Sequence, residues 1–471
     1  MLSILKHILL FTTIIAFLPV CYAQAEQAND STYIIIDTIQ LSGNKKTKAV
    51  IIIRELDFKI GDTVFIKTLE DRINHTKNRL FNTGLFLETD IEIIGTDAIH
   101  KIMVVELEER FFTIIIPIVG LADRNFNEWW VQRNHDLNRL DIGIYLLQKN
   151  MRGRNETMKI KFEFAFTKKI EFTYTIPYLT KSRKLGLIFN IGYILNRQIA
   201  YNTLENKLFF VEGNKFLRER FGTGLTFTYR GSFYIEHQLG ATYYNNSVGD
   251  TITALNPKYF LNGNTNEEFV SLKYSFIRDH KDIRYYPLKG SYLRFDVEQM
   301  GVSPNRAFSF TSFKGEVSLF KQLKKRFYLA TTFKGKYSTP IQQPWFNQRG
   351  LGYDKEIVSG YEQYVVDGQK YLLTKWNFKY QLFNKKIQVL HTGDERFTKI
   401  PLQVYLKMYM DLGYVWDLSY APGNNIYANS YLPGGGFGID FVSYYDFVLR
   451  VEYSINKNWH RGIFINFKAA I

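Results

Sequence analysis

Two textures of apolar and polar residues divide the chain. From about residue 109 to the end they alternate with a period of two. In Met158–Phe166 every even position is apolar, while Lys159, Lys161 and Glu163 hold odd ones. A turn is expected at Thr167-Lys168-Lys169, after which Ile170, Phe172, Tyr174 and Ile176 resume the apolar face. The pattern returns at Phe327, Leu329, Phe333 and Tyr337, against Lys334 and Lys336. Such hairpins suit strands with one apolar and one wet side. Period two also marks a soluble sandwich, but its persistence without a convincing long helix favours a barrel. The last segment repeats it, with Ile463, Ile465, Phe467, Ala469 and Ile471 on one face. A closing strand in lipid needs a partner for its backbone groups, and barrel closure supplies one.

Residues 32 to 108 read differently. Tyr33–Leu41 is a strand ended by a Gly43-Asn44 turn, and Thr47 begins a short helical stretch through Glu55. Gly61-Asp62 is a turn, and Ile66, Leu69, Ile73, Leu80 and Leu85 follow at helix-compatible spacings. Asp90–Ile94 and Ile102–Leu107 form a hairpin. The expected order is β-α-α-β-β, a three-stranded sheet covered by two helices.

The first residues add an export signal. Lys6 and His7 precede an apolar run from Ile8 to Leu18, with small residues at Ala23 and Ala25. A signal peptide over 1–23 is expected, with an uncleaved anchor helix as the alternative. The only cysteine, Cys21, lies inside it, in a faint lipoprotein-box context that leaves lipidation open. With cleavage after Ala23 the mature chain has no thiol, hence no disulfide and no thiol metal site. Mean hydropathy is −0.19, and beyond the first residues no run approaches the about 18 apolar residues of a spanning helix. A polytopic helical membrane protein is therefore excluded, whereas a barrel, lipid-facing on one side only, is not. The net charge of +15 is scattered over strands and turns with no basic helix or compact motif, so nucleic-acid binding is not expected.

Several motifs now resemble one family. Leu41-Ser42-Gly43-Asn44 with Thr47, Ile53-Arg54-Glu55-Leu56 with Gly61-Asp62, and Arg79–Phe86 with Gly84 resemble a POTRA domain. Asn150–Asn155 and Ile176–Leu179, then Asp279-His280-Lys281-Asp282, Tyr409-Met410-Asp411-Leu412-Gly413 and Gly435–Asp440 extend the likeness. Together they resemble the BamA/TamA-like outer-membrane assembly-factor (bacterial surface antigen) superfamily, as a single-POTRA member. The resemblance implies a transmembrane β-barrel of about 16 antiparallel strands over 109–471, preceded by one small α+β POTRA domain over 32–108. It implies a bacterial outer-membrane location with the POTRA domain in the periplasm. POTRA positions of interest are Gly43, Asn44, Arg54, Glu55 and Gly84.

Val358-Ser359-Gly360-Tyr361 stands where that family carries a lumen-loop tip, usually with arginine at the second position. The family's arginine pairs with the aspartate of the strand holding Asp411 and Gly413. Here Ser359 replaces it. Either a cation such as Lys355 or Arg349 substitutes, or Ser359 bonds Asp411 with water filling the gap. The closing strand is marked by Ile463, Ile465, Phe467 and Ile471; the family's usual last residue is aromatic.

No catalytic or metal constellation emerges. Gly434-Gly435-Gly436 lacks the following helix that a phosphate loop needs. Asp279 and Asp282 read as turn caps rather than an acid/base pair. No enzyme activity and no cofactor are expected. The resemblance implies clients that are outer-membrane or secreted proteins, surroundings of outer-membrane lipid and lipopolysaccharide, and periplasmic or lipoprotein subunits as further candidates. The expected function is assisting insertion or translocation through POTRA strand addition and a lateral barrel seam. A dedicated secretion pore or passive outer-membrane channel is the alternative.

Overall fold

The computed structural model describes residues 32–95, 97–121, 129–130, 134–302, 309–388, 399–419, 426–443 and 447–468. The expected signal segment, with Cys21, lies outside the described residues, as does Ile471.

The chain first builds β1 (Tyr33–Ser42), α1 (Ala49–Glu55), β2 (Thr63–Phe65), α2 (Ile66–Asn82), β3 (Phe86–Gly95) and β4 (His100–Glu109). The sheet order is β2-β1-β4-β3, with β1 and β4 parallel and the outer pairs antiparallel. This four-stranded sheet corrects the expected three strands: β2 is the added element, three residues paired with Tyr33–Ile35. A segment so short carries no periodicity of its own. Ile34 and Ile36 of β1, Ile51 and Ile52 of α1 and Leu80 of α2 interlock with Met103 and Val105 of β4. Gly43 turns the chain after β1 at φ +82°, where a Cβ would run into the Leu107 carbonyl, so only glycine fits. Asn44 Nδ2 then donates to the Thr47 carbonyl at 3.1 Å.

Three residues after β4, β5 (Thr113–Leu121) opens a sheet of sixteen strands that ends with Arg461–Lys468. Neighbours pair antiparallel from β5 to the last strand. The turn expected at 167–169 falls instead at 164–166, because Phe162 pairs with Ile170 and Glu163 with Lys169. Among the described residues, excursions from the sheet include the hairpin Gln198–Leu204 with Lys207–Glu212, the segment with the short helix Asp250–Leu255, and residues 340–369. No helix among the described residues is long and apolar enough to cross a membrane. This says nothing about strands.

The barrel is polar inside and apolar outside. On Lys399–Trp416, Met408 and Met410 are 62% and 57% exposed, whereas the intervening Tyr409 and Asp411 are 4% and 2% exposed. An outward apolar band over an inward polar lining suits hydrocarbon outside and water or packed polar groups within. We therefore expect Met408→Lys to destabilise the lipid-embedded barrel by about 2–4 kcal/mol, with Met408→Leu near neutral. Urea titration in lipid vesicles would read this. Equal effects of the two substitutions would contradict an outward-facing Met408.

Candidate functional site

Residues 340–369 connect the strands Phe327–Thr339 and Lys370–Gln388 and pack against the inner wall. Val358 and Tyr361 are buried with Leu351 and Val366 of the same loop and with Val415 and Leu432 of the wall. That apolar contact presses the tip onto the wall, and the wall is built to receive it. A Cβ at Gly434 would run into the Ser359 carbonyl, and one at Gly413 would lie 2.6 Å from Val358 Cγ2. Gly360 has φ +83°, and a Cβ there would approach the Ile455 carbonyl carbon to 2.8 Å. Asn456 Nδ2 donates to the Gly360 carbonyl at 2.7 Å. The glycine run around Gly434 is thus a seat for backbone, within the strand Tyr431–Val442.

Asp411 is the polar centre of this seat. Its Oδ2 accepts from the Ser359 backbone N–H at 3.0 Å and the Ser359 hydroxyl at 2.6 Å. The same oxygen accepts from Lys375 Nζ at 2.9 Å. Lys375 lies directly opposite Asp411 in the ladder between Lys370–Gln388 and Lys399–Trp416, and Gly434 lies opposite on the other side. The cation on Asp411 is therefore Lys375, not Lys355 or Arg349. Lys355 is exposed, and the Arg349 guanidinium rests over Phe346 and Tyr353 at 5.0 and 5.4 Å. A wall lysine thus supplies the charge, while Ser359 supplies hydrogen bonds from the tip.

A second element locks the loop. Asn206 turns the excursion hairpin at φ +60° and is fully buried. Its Nδ2 donates to the Val365 carbonyl at 2.8 Å, its carbonyl accepts the Val365 N–H at 2.8 Å, and its Oδ1 accepts the Tyr427 N–H at 2.9 Å.

The small domain is docked on the opposite kind of contact, through turns of one barrel rim. Glu55, 1% exposed, receives Arg230 through two bonds of 2.8 and 3.0 Å and Arg54 at 2.7 Å. Arg54 also lies over the Tyr178 ring at 4.9 Å and donates to the Arg183 carbonyl at 3.1 Å. Asn150 Nδ2 donates to Thr47 Oγ1 at 2.8 Å, and Asn82 Nδ2 to the Asp282 carbonyl at 2.8 Å. Arg54 and Glu55 are thus joined with the rim, whereas Gly43 and Asn44 shape a turn. Gly84 follows α2 at φ +71°, where a Cβ would sit 3.4 Å from Lys149 Nζ. Asp282 caps its turn through Ile283 and Leu288 N–H groups, and Asp279 pairs with Arg284 at 3.2 Å. At the seam end, Ile463 and Ile465 are exposed on the outer face, and the Phe467 backbone pairs with Leu449.

A sixteen-stranded transmembrane barrel with an occupied lumen and a small α+β domain on one rim defines the class of barrels that carry POTRA-like domains. Residues 150–444 match the Omp85 superfamily domain, and the chain belongs to that superfamily. It is similar in fold to BamA from Haemophilus ducreyi lacking POTRA domains 1-3, at 15% identity and TM-score 0.50, over 92% of this chain and 84% of that one. It is also similar to CdiB from Escherichia coli, at 12% identity and TM-score 0.54, over 92% and 76%. No curated protein matches. The chain is a bacterial outer-membrane protein.

Two outcomes are expected. Lys375→Met leaves the Asp411 carboxylate buried without its cation, a loss of about 3–5 kcal/mol at most, reduced because Lys375 is partly exposed. The docked barrel should lose stability, read as a lower midpoint of urea unfolding in lipid vesicles; an unchanged midpoint would contradict the seat. Burial raises the Glu55 pKa, but Arg230 and Arg54 outweigh it and hold the carboxyl below its ordinary 4.5. The dock is therefore complete above that value and weakens as pH falls through the depressed one. Crosslinking between α1 and the Arg230 turn should fall in strong acid, and Glu55→Gln should lose it at neutral pH.

Proposed function

We propose that this chain assists the insertion or translocation of outer-membrane or exported proteins, receiving an extended client by strand addition and templating it at the barrel seam. Membership of the Omp85 superfamily supports a role in protein insertion or secretion. The observation that carries the finer reading is the seam. β5 and Arg461–Lys468 stand at the two ends of the sixteen-strand order. β5 also has Pro117 at its middle, a residue without an N–H that strands tolerate at an edge. An edge with a missing donor is a weak place to close a barrel, and an incoming strand can take over its remaining groups.

The small domain offers the first contact. Its sheet has two edges, β2 and β3. β3 carries exposed Glu88, Asp90 and Glu92, charges that discourage pairing, whereas β2 is flanked by exposed Tyr33, Phe65 and Ile66. We assign the client strand to β2. Free energy for transfer comes from burying the client's apolar face in lipid, with the small domain on the periplasmic side. A passive channel is disfavoured by the loop seated across the wall at Gly434 and clamped by Asn206.

Photo-crosslinking side chains at Phe65 and at Ile463 should capture the same outer-membrane clients in intact cells. Clean deletion should lower the levels of those clients. An unchanged outer-membrane proteome, with no shared adducts, would sink the assembly reading and leave a pore.

A further inference from the structure

We propose that the barrel lumen holds a binding site for a phosphate-class oxyanion, in the cavity between the loop and the inner wall around Lys314 and Arg220. The cavity measures about 250 Å³. Four basic side chains line it: Arg220, Lys314, Lys336 and Arg349. None of the four forms an ion pair among the described residues. Three carboxylates share the lining, so the four basic groups outnumber them by one. Glu298 accepts the Ser271 hydroxyl at 2.7 Å, Glu356 pairs with Lys334 at 3.2 Å, and Asp354 is exposed.

The cations are held in place by neutral partners. Arg220 lies over Tyr244 at 5.3 Å, and Arg349 over Phe346 at 5.0 Å. Lys336 Nζ donates to the Arg349 carbonyl at 2.7 Å. Lys314 stands opposite Lys336 in the ladder, so the strand register itself sets two lysines side by side. Aromatic faces and a carbonyl fix geometry without neutralising charge. Mutual repulsion among like charges then favours capture of an anion.

A second observation points the same way. Ser312 is 5% exposed, lines the cavity, and its hydroxyl has no hydrogen-bond partner. A buried unpaired donor beside unpaired cations is satisfied by an acceptor-rich ligand. The planar guanidinium forks of Arg220 and Arg349 suit the paired oxygens of an oxyanion better than a spherical halide. The chemistry fits free phosphate and the phosphate of a lipid headgroup equally.

Titration calorimetry of the detergent-purified full-length chain with inorganic phosphate tests the site. Wild type should bind, and R220Q/K314Q should weaken binding by about tenfold or more. R220K/K314R, which keeps the charge, should retain most of it. Heat-modifiable migration on gels reports that each variant is folded; if the double variant is not, Ser312→Ala should still weaken phosphate by about threefold. Vesicles with phosphorylated or dephosphorylated lipid A separate the sources. Stabilisation by free phosphate in the dephosphorylated arm assigns the free anion, and stabilisation only in the phosphorylated arm assigns the headgroup. Either supports the site if the double variant abolishes it. No uptake by wild type at about 10 mM phosphate, or equal binding by the folded double variant, overturns it.

Discussion

Hydrocarbon offers no hydrogen bonds, and this one constraint shapes everything else in the molecule. A backbone group left unpaired there costs several kcal/mol, so each spanning strand needs a neighbour on both sides. Strands that meet this need place alternate side chains toward lipid and toward the interior. Apolar residues such as Met408 and Met410 take the outside, which sends Tyr409 and Asp411 inward. The interior then has the opposite problem to a soluble core: it is full of polar groups that need partners. The loop and the hairpin tip at Asn206 answer that lining, which also holds the basic groups around Lys314.

Carboxylates serve as the anchor points, and each is held by more than one donor. Asp411 receives a tip backbone, a tip hydroxyl and a wall ammonium. Asp440 receives Lys407 at 2.9 Å and the Tyr286 hydroxyl at 2.9 Å, and so ties a rim turn to the inner wall. Glu55 receives two arginines and ties the small domain to the same rim. A buried charge answered in this way is weak evidence for stability but strong evidence for position, because its removal strands its partners. The contacts therefore set where loop and domain sit, while apolar packing of Val358 and of the Ile36–Met103 core sets how tightly.

The architecture was legible in the sequence wherever a pattern was long and local. Alternation from Met158 onward and the helix spacing from Ile66 survive in the structure, and the strand count inferred by resemblance is the one found. What was not legible depends on register across distant strands. Lys375 is one of many alternating lysines, and only its pairing 36 residues away with Asp411 distinguishes it. Arg230 and Glu55 are separated by 175 residues, with no local signal in either. Thr63–Phe65 is too short for any period, and the turn after Phe162 was misplaced because polar Thr167–Lys169 resembled a turn more than Phe164–Phe166 did. Ser359 does bond Asp411, but the cation that joins it there, Lys375, lies on another strand.

The loop and the seam are mechanically adjacent. Ser359 seats on Gly434, and Gly360 rests on Ile455 and Asn456, at the end of the strand Val448–Asn456. That strand pairs directly with Arg461–Lys468, the last strand in the sheet order. A docked tip therefore braces the penultimate strand, the ladder neighbour of the last one. Replacing the family's long tip arginine by Ser359, with charge moved to the wall at Lys375, removes side-chain reach from the tip while leaving the carboxylate satisfied. The tip can then leave without exposing an unpaired Asp411, since Lys375 stays behind with it. The tip is thus held to the wall chiefly by Val358 packing, the Gly360 contact and the Asn206 clamp, with the charge on Asp411 answered from the wall itself.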